Sequence, residues 1–556
     1  MNEKSNSMFL SYGADYYTED FPLQQILRYS GLKYNSELGR LGKYVSTEFL
    51  EALDFIDHYG KPYLEYWNSL GERIDHVRIS PEHRRILDEL FSYGIVRKVI
   101  TGEESWLYHF ISGYIISDSG IFCTVTLTMQ TAYALNKFGD GAVREKYLPR
   151  YLSREKPWMG ATFYTELQGG SDLGSNTTKA ELVDGKWHIN GPDKYFASNA
   201  GLADGAIVTA KPVPVKSGAK GISIFFVPAC LDDGVHNYRI RRLKNKIGTI
   251  AVPTGEVEME NSVGFLLGKP AEGIYGAMDI LMISRLDNAF AALGISRKAL
   301  WEAFLYASSR KSFGSNIIEH PLLRRDFLEM EADLEGSTIL SVKAAEAFNR
   351  SANDHFPYSE EYHYARILTH ISKNITASLS DRITRYSMEI FGGIGFLEEF
   401  PIAKFHRDAI VTPIWEGTSN IQALEMYETI VKKNSDRKLL ETIRKLVNGF
   451  SKEIGVSKTL LSRAGDIEKR LKELAAMGND AQYYLKNLLD EFGHLFSSSL
   501  LFDLHVHSPE EDRERTGIMA EIYYIRNVSH GEIPVELLNS ARPLEWMFNS
   551  RRISGN

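Results

Sequence analysis

Cysteine is scarce in this sequence. Cys123 and Cys230 are the only two among 556 residues, and neither stands in a Cys-x-x-Cys pair or in the Cys/His spacing of a zinc site. Two cysteines are too few for a disulfide framework. His505 and His507 lie close together, but no acidic or histidine partner set accompanies them. We therefore predict no disulfide framework, no bound metal and a reducing environment.

The sequence also lacks an excess of positive charge. Lys and Arg number 64 against 72 Asp and Glu, for a formal net charge of -8, which excludes a basic field over the whole surface for gripping nucleic acid. The exception is residues 432–486, where 13 Lys/Arg against 7 Asp/Glu give +6; residues 487–556 carry 6 against 11, or -5. We favour a solvated helix face for the basic stretch, and a polyanion site is the alternative.

No hydrophobic run has the length of a membrane span. The most apolar stretch, Phe110 to Tyr133, is interrupted by polar residues that include Asp118 and Gln130, whereas a spanning helix needs ~20 predominantly apolar residues. The stretch predicts a buried helix and a connecting turn. Residues 1–7 are polar, with no apolar stretch of signal length behind them, so we see no export signal and expect a cytoplasmic protein.

Several common chemical motifs are missing. The sequence has no GxGxxG after a strand, no GxxxxGK[ST] phosphate loop, no GxSxG nucleophile turn and no HExxH metal helix. Nucleotide binding by a standard Rossmann or P-loop element is therefore not expected.

What is present is an alternation of helical and β-rich regions. Apolar residues recur at helical spacing in 48–59, 80–99 and 139–152, and again in 284–310, 322–349 and 364–391. Between them, short alternating segments flank a two-residue hairpin turn at Asp184-Gly185, which predicts an antiparallel sheet or barrel. We predict four domains: helical (1–157), β-barrel (158–270), helical bundle (271–435) and a further helical domain (436–556).

Two segments carry residues suited to ligand chemistry. Gly169-Gly170, flanked by the hydroxyls of Thr165 and Ser171, lets the backbone approach a planar polar ring or a phosphate; a loop that needs glycine for its shape is the alternative. Glu416 stands between an indole and a glycine, where burial would raise the pKa of its carboxyl toward the range of a general base. The alternative there is a helix N-cap at residues 418–420.

Two further segments are ambiguous by themselves. Gly392 and the glycines that follow it end a long helical pattern, as helix stops do. Arg310, in the segment Arg-Lys-Ser-Phe-Gly, either complements a helix C-terminus or offers a guanidinium to a pyrophosphate.

These four segments occur in the order found in the acyl-CoA dehydrogenase flavoprotein superfamily, which the chain resembles from about residue 100 to 435. The superfamily's T-E-x-x-x-G-S-D signature matches residues 165–172, its R-x-x-F-G motif 310–314, its G-G-x-G-F turn 392–396 and its E-G-T-S turn 416–419. Within the superfamily the chain resembles the AidB branch, which is associated with the adaptive response to DNA alkylation. This resemblance lies in the amino-acid sequences of residues 165–178 and 243–248 and in the final helical extension.

The resemblance implies an α+β multi-domain architecture, the acyl-CoA dehydrogenase fold: an N-terminal α-helical domain, a central antiparallel β-barrel, a four-helix bundle and an additional C-terminal helical domain. FAD would lie between barrel and bundle, with Phe196 against the flavin ring and Ser198 near its N5 atom. The expected cofactor-binding residues are Thr162, Tyr164, Thr165, Gly170, Ser171, Phe196, Ala197, Ser198, Arg310, Phe313, Gly392, Gly393, Trp415, Thr418 and Asn420. Of these, Arg310, Phe313, Gly392 and Gly393 would reach the cofactor of a neighbouring subunit, which implies a homo-oligomer, typically a tetramer.

The resemblance also implies the reaction. Glu416 would remove the α-proton of an acyl-CoA thioester while the flavin accepts a hydride from the β-carbon, and Ser171, Arg285 and Gly417 would contact the substrate. Some relatives carry the base just before the arginine matched by Arg285, but that position is Ser284 here. Asp287 is interpreted as an ion-pair partner of an arginine. We expect an electron-transfer flavoprotein as acceptor; a DNA-associated flavoprotein with weak acyl-CoA turnover is the alternative function.

Overall fold

The computed structural model describes residues 9–539, and the outermost residues of the first and last predicted domains, 1–8 and 540–556, lie outside the described residues. The first stretch is helical. Its helices are α1 (Phe21–Tyr29), α2 (Ser36–Tyr44), α3 (Leu50–His58), α4 (Pro81–Ser92), α5 (Arg97–Ile100), α6 (Trp106–Ile116), α7 (Ser119–Phe138) and α8 (Gly141–Tyr151). An antiparallel hairpin of β1 (Tyr63–Trp67) and β2 (Arg73–Arg78) interrupts them. The sequence analysis did not predict this hairpin, because its first strand is largely exposed and lacks the alternation of a half-buried strand.

The apolar stretch 110–133 contains buried helix and a connecting turn, as predicted, and the turn separates two helices. Helix α6 ends at Ile116 and α7 begins at Ser119, where the Asp118 carboxylate accepts a 2.7 Å hydrogen bond from the N–H of Ile121 and caps the helix. Both helices are largely buried in protein. Across residues 9–539, no helix is both long enough and apolar enough to cross a membrane.

Seven strands follow and close into a small barrel. They are β3 (Gly160–Phe163), β4 (Lys179–Val183), β5 (Lys186–Ser198), β6 (Gly205–Pro212), β7 (Ser223–Pro228), β8 (Arg239–Leu243) and β9 (Thr254–Leu267). Strand β6 pairs with β4 on one side and β7 on the other, and β7, β9, β5 and β4 complete the ring. The barrel is not purely antiparallel, since β3 and β4 both run parallel to β6. The chain between β3 and β6 includes β4 and β5, and the chain between β4 and β6 includes β5; parallel pairing requires such crossovers rather than a tight turn.

The predicted hairpin turn is confirmed. Val183 pairs with Lys186, and the two residues between them, Asp184 and Gly185, have φ angles of 49° and 76°. Two successive positive φ values define the turn type whose twist matches that of the flanking strands. The turn therefore fixes the register of β4 on β5.

The chain returns to helices after the barrel. They are α9 (Gly273–Ser309), α10 (Pro321–Ser351), α11 (Glu360–Phe391), α12 (Pro401–Ala409), α13 (Ser419–Lys433), α14 (Ser435–Phe450), α15 (Ser457–Ala476), α16 (Leu485–His507), α17 (Glu510–Tyr524) and α18 (Val535–Asn539). A short hairpin of β10 (Lys311–Ser312) and β11 (Ser315–Asn316) follows α9. The three long helices predicted from periodicity correspond to α9, α10 and α11.

The described chain divides into two compact units. The barrel unit comprises residues 49–109 and 118–287, and the helical unit comprises residues 9–48, 110–117 and 288–539. Strands β3 to β9 all lie in the barrel unit, and helices α10 to α18 all lie in the helical unit. The four-domain division made from the sequence stays a prediction.

In the helical unit, α16 and α17 pack on α10 and α11 without a gap. A Cβ atom at Gly336 of α10 would collide with the ring of Tyr523, and one at Gly493 of α16 would collide with the side chain of Ile375. The buried Arg515 of α17 donates to Glu335 of α10. The C-terminal helices therefore share a core with the helices before them.

The carboxyl group of Glu335 belongs to a buried network of like and unlike charges. Burial raises its pKa, Glu331 adds to that effect and Arg515 opposes it, with the result that the pKa of Glu335 is about 8. Arg297 donates to Glu331 at 2.6 and 2.9 Å and leaves that neighbour ionised. Glu335 therefore holds its proton in the folded protein at neutral pH.

Glu335→Gln is expected to have a free energy of unfolding at pH 6 no lower than that of the wild type, because glutamine resembles the protonated acid and keeps no proton that the unfolded chain would release. Between pH 6 and 8 the unfolded wild-type chain has released this proton while the folded protein retains it, so wild-type stability falls as pH rises. The variant should show a shallower decline in denaturant titrations at the two pH values. Glu346→Gln, in a surface pair with Lys343, is the control; parallel pH profiles for Glu335→Gln and the wild type would contradict the assignment.

Candidate functional site

The candidate base stands in a short loop of the helical unit, between α12 and α13. Glu416 has a φ angle of 58° and Gly417 one of 92°. A non-glycine residue in the left-handed region is uncommon, and such strain persists where the surroundings hold it, often at functional sites. The Glu416 side chain is partly exposed, so it is open to a ligand.

Two side chains hold this loop through its backbone. Gln422 of α13 donates its amide to the carbonyl oxygens of Glu416 at 3.0 Å and Gly417 at 2.8 Å. Lys373 of α11, which is 1% exposed, donates to the carbonyl of Gly417 at 2.8 Å. The sequence analysis missed both residues, because a lysine and a glutamine on long helices carry no signal of backbone contacts.

Trp415 and Thr418 flank the base. The Trp415 indole N–H donates to the Oδ1 of the buried Asn288 on α9, which fixes the ring. Thr418 occupies the N-cap position of α13, but its side chain makes no capping hydrogen bond. The hydroxyl of Thr418 and the side chain of Asn420 are both exposed and are available to a ligand. A structural cap therefore does not account for Thr418.

Two exposed turns of the helical unit carry the remaining predicted contacts. Phe313 sits at the tip of the β10–β11 hairpin and is 97% exposed, with a φ angle of 51°; Arg310, just before the hairpin, is also exposed. Gly392 ends α11 with a φ angle of 66°, which confirms the predicted helix stop. Gly393 follows in a single 3-10 turn and is exposed. A fully exposed phenylalanine on a strained turn is suited to contact another molecule.

In the barrel unit, the loop between β3 and β4, residues 164–178, contains the T-E-x-x-x-G-S-D signature and is held by the side chain of Glu166. We call it the signature loop. Thr162 lies in β3 and Tyr164 is buried just beyond it, while Thr165, Gly170 and Ser171 border the loop surface. The carboxylate of Glu166 accepts hydrogen bonds from the backbone and hydroxyls of Thr177 and Thr178, and from Lys194 of β5 at 2.9 Å. One buried carboxylate thus joins both ends of the loop to the barrel.

Electrostatics keep Glu166 ionised. Burial by itself would raise the pKa of its carboxyl, but the Lys194 ammonium and the hydrogen bonds outweigh burial and lower the pKa to about 2. Burial lowers the pKa of Lys194, so the pair stabilises the fold by less than the Glu166 shift alone implies. The sequence analysis gave Glu166 no role and missed Lys194, because bulges in β5 break the alternation that would place this lysine inside.

The end of strand β5 presents an aromatic ring and a hydroxyl on one face. Phe196 is 52% exposed, Ala197 is buried and Ser198 is partly exposed, so residues 196 and 198 point to the same side. A half-exposed phenyl ring beside hydroxyl groups fits a flat, polar, aromatic ligand such as an isoalloxazine ring. The residues present therefore fit the predicted flavin.

Helix α9 places Arg285 and Asp287 among its buried charged residues in the barrel unit. Arg285 is 2% exposed and Ser284 4% exposed. Asp287 is paired with His109, whose Nε2 lies 2.9 Å from Oδ1; the predicted pairing with an arginine is wrong. Sequence spacing along one helix does not show a partner that lies on α6.

No group of three or more His, Cys, Asp or Glu side chains within residues 9–539 is arranged to hold a metal ion. Cys123 and Cys230 are not joined in a disulfide.

Three family profiles match the chain in order. The profile of the adaptive response protein AidB N-terminal domain matches residues 6–156. The acyl-CoA dehydrogenase middle domain matches residues 161–262, and the acyl-CoA dehydrogenase C-terminal domain matches residues 271–431.

Curated relatives agree with the profiles. The chain is 29% identical to the putative acyl-CoA dehydrogenase AidB of Escherichia coli over 439 residues, 75% of this chain and 78% of that protein. It is 32% identical to a short-chain specific acyl-CoA dehydrogenase of Clostridium acetobutylicum over 300 residues, 53% of this chain and 74% of that protein.

Solved structures share the fold. Caenorhabditis elegans ACDH-11, solved in complex with C11-CoA, superposes with a TM-score of 0.83 at 22% identity, covering 100% of this chain and 96% of that one. An acyl-CoA dehydrogenase from Bacillus anthracis, complexed with FAD, gives a TM-score of 0.68 at 21% identity over 84% and 86%. Helical regions that precede and follow a small closed barrel in the chain thus define the acyl-CoA dehydrogenase fold, as predicted.

A protein with this fold and these sequence matches is an oxidoreductase of the dehydrogenase class. The chain belongs to the acyl-CoA dehydrogenase family, and its N-terminal part is of the AidB type.

Proposed function

We propose that this protein is an FAD-dependent acyl-CoA dehydrogenase that introduces an α,β double bond into an acyl-CoA thioester. The observation that carries the proposal is the loop of Glu416, a carboxylate in strained backbone, followed by glycine and held by Gln422 and Lys373. Family membership supplies the reaction class, and the C11-CoA and FAD complexes of two structural neighbours support the substrate class and the cofactor.

Each residue then has a role set by its chemistry. Glu416 removes the weakly acidic α-proton of the thioester, which requires a carboxylate held in one orientation. Gly417 lets the substrate lie against the backbone, and Arg285 and Ser171 contact its polar parts. When bound, FAD supplies the acceptor for the hydride that leaves the β-carbon.

The cofactor is assigned to the residues predicted from the sequence. Thr162, Tyr164 and Thr165 meet the pyrimidine side of the flavin, Gly170 and Ser171 lie toward the pyrophosphate, and Phe196, Ala197 and Ser198 cover the ring. The exposed hydroxyl of Thr418 and amide of Asn420, beside Trp415, suit the adenosine half. The exposed hydroxyls and the half-exposed ring of Phe196 support this assignment.

We also propose a homo-oligomer, of tetrameric type, that passes electrons to an electron-transfer flavoprotein. The support is the exposure of Phe313, Arg310 and Gly393 on two turns, since these residues are assigned to the cofactor of a neighbouring subunit.

The alternative function, DNA association, rests on the AidB match and on the basic stretch 432–486. Much of that positive charge is neutralised locally: Lys432, Lys438, Arg444, Lys469 and Arg470 each pair with a glutamate. The stretch is therefore best explained as a solvated helix face, and the dehydrogenase is the function we propose.

Anaerobic titration of the FAD-loaded protein with short-, medium- and long-chain acyl-CoAs tests the proposal. At least one of them is expected to bleach the flavin absorbance near one equivalent per site, because desaturation reduces the bound ring. Free CoA, which has no acyl chain to oxidise, is the control. A protein that binds FAD but is bleached by none of the series would contradict the proposed function.

A further inference from the structure

A lysine in the connection between β8 and β9 is bonded to several acceptors behind Ser198. The Nζ atom of Lys246 lies 2.7 Å from the carbonyl oxygens of both Thr249 and Val252 and 3.2 Å from the hydroxyls of Thr249 and Thr254. Thr254 is 4% exposed and pairs directly with Ser198 across β9 and β5. The oxygen atoms of these two side chains are 3.3 Å apart.

The chemistry of the ammonium group sets the direction of these hydrogen bonds. An ammonium has donors and no acceptor, so the hydroxyl of Thr254 accepts from Lys246. The single hydroxyl proton of Thr254 then remains for the oxygen of Ser198, the neighbour within reach. Ser198 accepts that bond, and its own proton is left to point out of the barrel wall.

We propose that Lys246 is a positioning residue that acts through Thr254 to hold the Ser198 hydroxyl as a hydrogen-bond donor toward flavin N5. The inference rests on the proposed function, which places Ser198 beside that atom. N5 of an oxidised flavin has a lone pair and no proton, so it is matched by a donor. A hydrogen bond donated there withdraws electron density from the atom that receives the hydride.

Without the ammonium, the chain of hydrogen bonds loses its fixed direction. The Thr254 hydroxyl is then free to accept from Ser198, which turns the Ser198 proton inward and away from the flavin. A second lysine nearby does not substitute: Lys244 extends over the ring of Tyr195, 3.2 Å from its centroid, and pairs with Glu256 at 2.6 Å. Lys244 therefore provides a matched control with the same charge on the same segment.

The test measures the nitrogen chemical shift of N5 in holoenzyme reconstituted with FAD labelled with nitrogen-15 at that position. A donated hydrogen bond moves this resonance upfield. Lys246→Met is expected to move it downfield, in the direction of Ser198→Ala, whereas Lys244→Met leaves it at the wild-type position. Thr254→Val is nearly isosteric and leaves no acceptor behind Ser198, so the double variant Lys246→Met with Thr254→Val should return the shift toward the wild type. If Lys246→Met does not load FAD, Lys246→Gln removes the charge while keeping an amide for the carbonyl oxygens of Thr249 and Val252.

The rate constant of flavin reduction in single turnovers should fall roughly tenfold in Lys246→Met with acyl-CoA affinity unchanged, because one donor acting on the reacting atom is lost. An N5 shift that responds to Ser198→Ala but not to Lys246→Met overturns the inference and leaves the proposed function standing. An N5 shift that does not respond to Ser198→Ala overturns both the inference and the placement of Ser198.

Discussion

Glu416→Gln is expected to bind FAD and to lose flavin bleaching by acyl-CoA, with the reduction rate constant down by about 10²–10⁴-fold, the usual contribution of a general base. The amide is close in size and shape to the carboxylate and keeps the loop held by Gln422 and Lys373, but it does not accept a proton. Anaerobic stopped-flow absorbance measures the rate, and the spectrum before mixing measures bound flavin.

The control for this variant is Glu428→Gln on α13, the helix that follows the Glu416 loop, where the side chain forms an exposed pair with Lys432. It should bleach at the wild-type rate. Wild-type bleaching by Glu416→Gln would instead place the base elsewhere. Asp287 is a poor substitute, because it is 2% exposed and already paired with His109.

Lys194→Met is expected to lower the free energy of unfolding by about 3–5 kcal/mol, since it leaves the Glu166 carboxylate buried without its cation. The two charges lie 2.9 Å apart, and each side chain is 2% exposed. The loss should be measured by denaturant unfolding, with FAD affinity followed in parallel, because Glu166 ties the signature loop to the barrel.

Two variants separate charge burial from other causes. Lys146→Met removes an exposed pair with Asp232 and should leave the free energy of unfolding close to that of the wild type, since solvent screens such a pair. The double variant Lys194→Met with Glu166→Gln removes both buried charges and should recover part of the loss, since no unpaired ion remains. A double variant as unstable as the sum of the two single variants would argue that the charges act independently.

The features predicted from the sequence are those that local patterns specify. A two-residue hairpin turn needs positive φ values at both of its residues, and the pair Asp184-Gly185 is suited to them. Apolar periodicity predicts α9, α10 and α11. Motif spacing identified the loops of Glu416 and Ser171, since the residues of each motif are neighbours in the chain.

The features that escaped prediction depend on residues far apart in sequence. Parallel pairing of β3 with β6 and the contact of Asp287 with His109 are decided by packing between elements. The sequence around Lys194 and Lys246 gives no sign of their roles. These roles become evident only from the acceptors to which the two lysines donate hydrogen bonds in the folded protein. Propensity and periodicity contain no information about such partners.

Because α16 and α17 share a core with α10, the chain cannot be shortened from its C-terminal side past these helices without exposing that core. A truncation after residue 433 would leave Glu331 and Glu335 facing water without Arg515 and would open the groove at Gly336 that the ring of Tyr523 fills. The Clostridium acetobutylicum relative aligns with only 53% of this chain, so trimming this protein to that size would yield an insoluble fragment unless the exposed helix surface were redesigned as well.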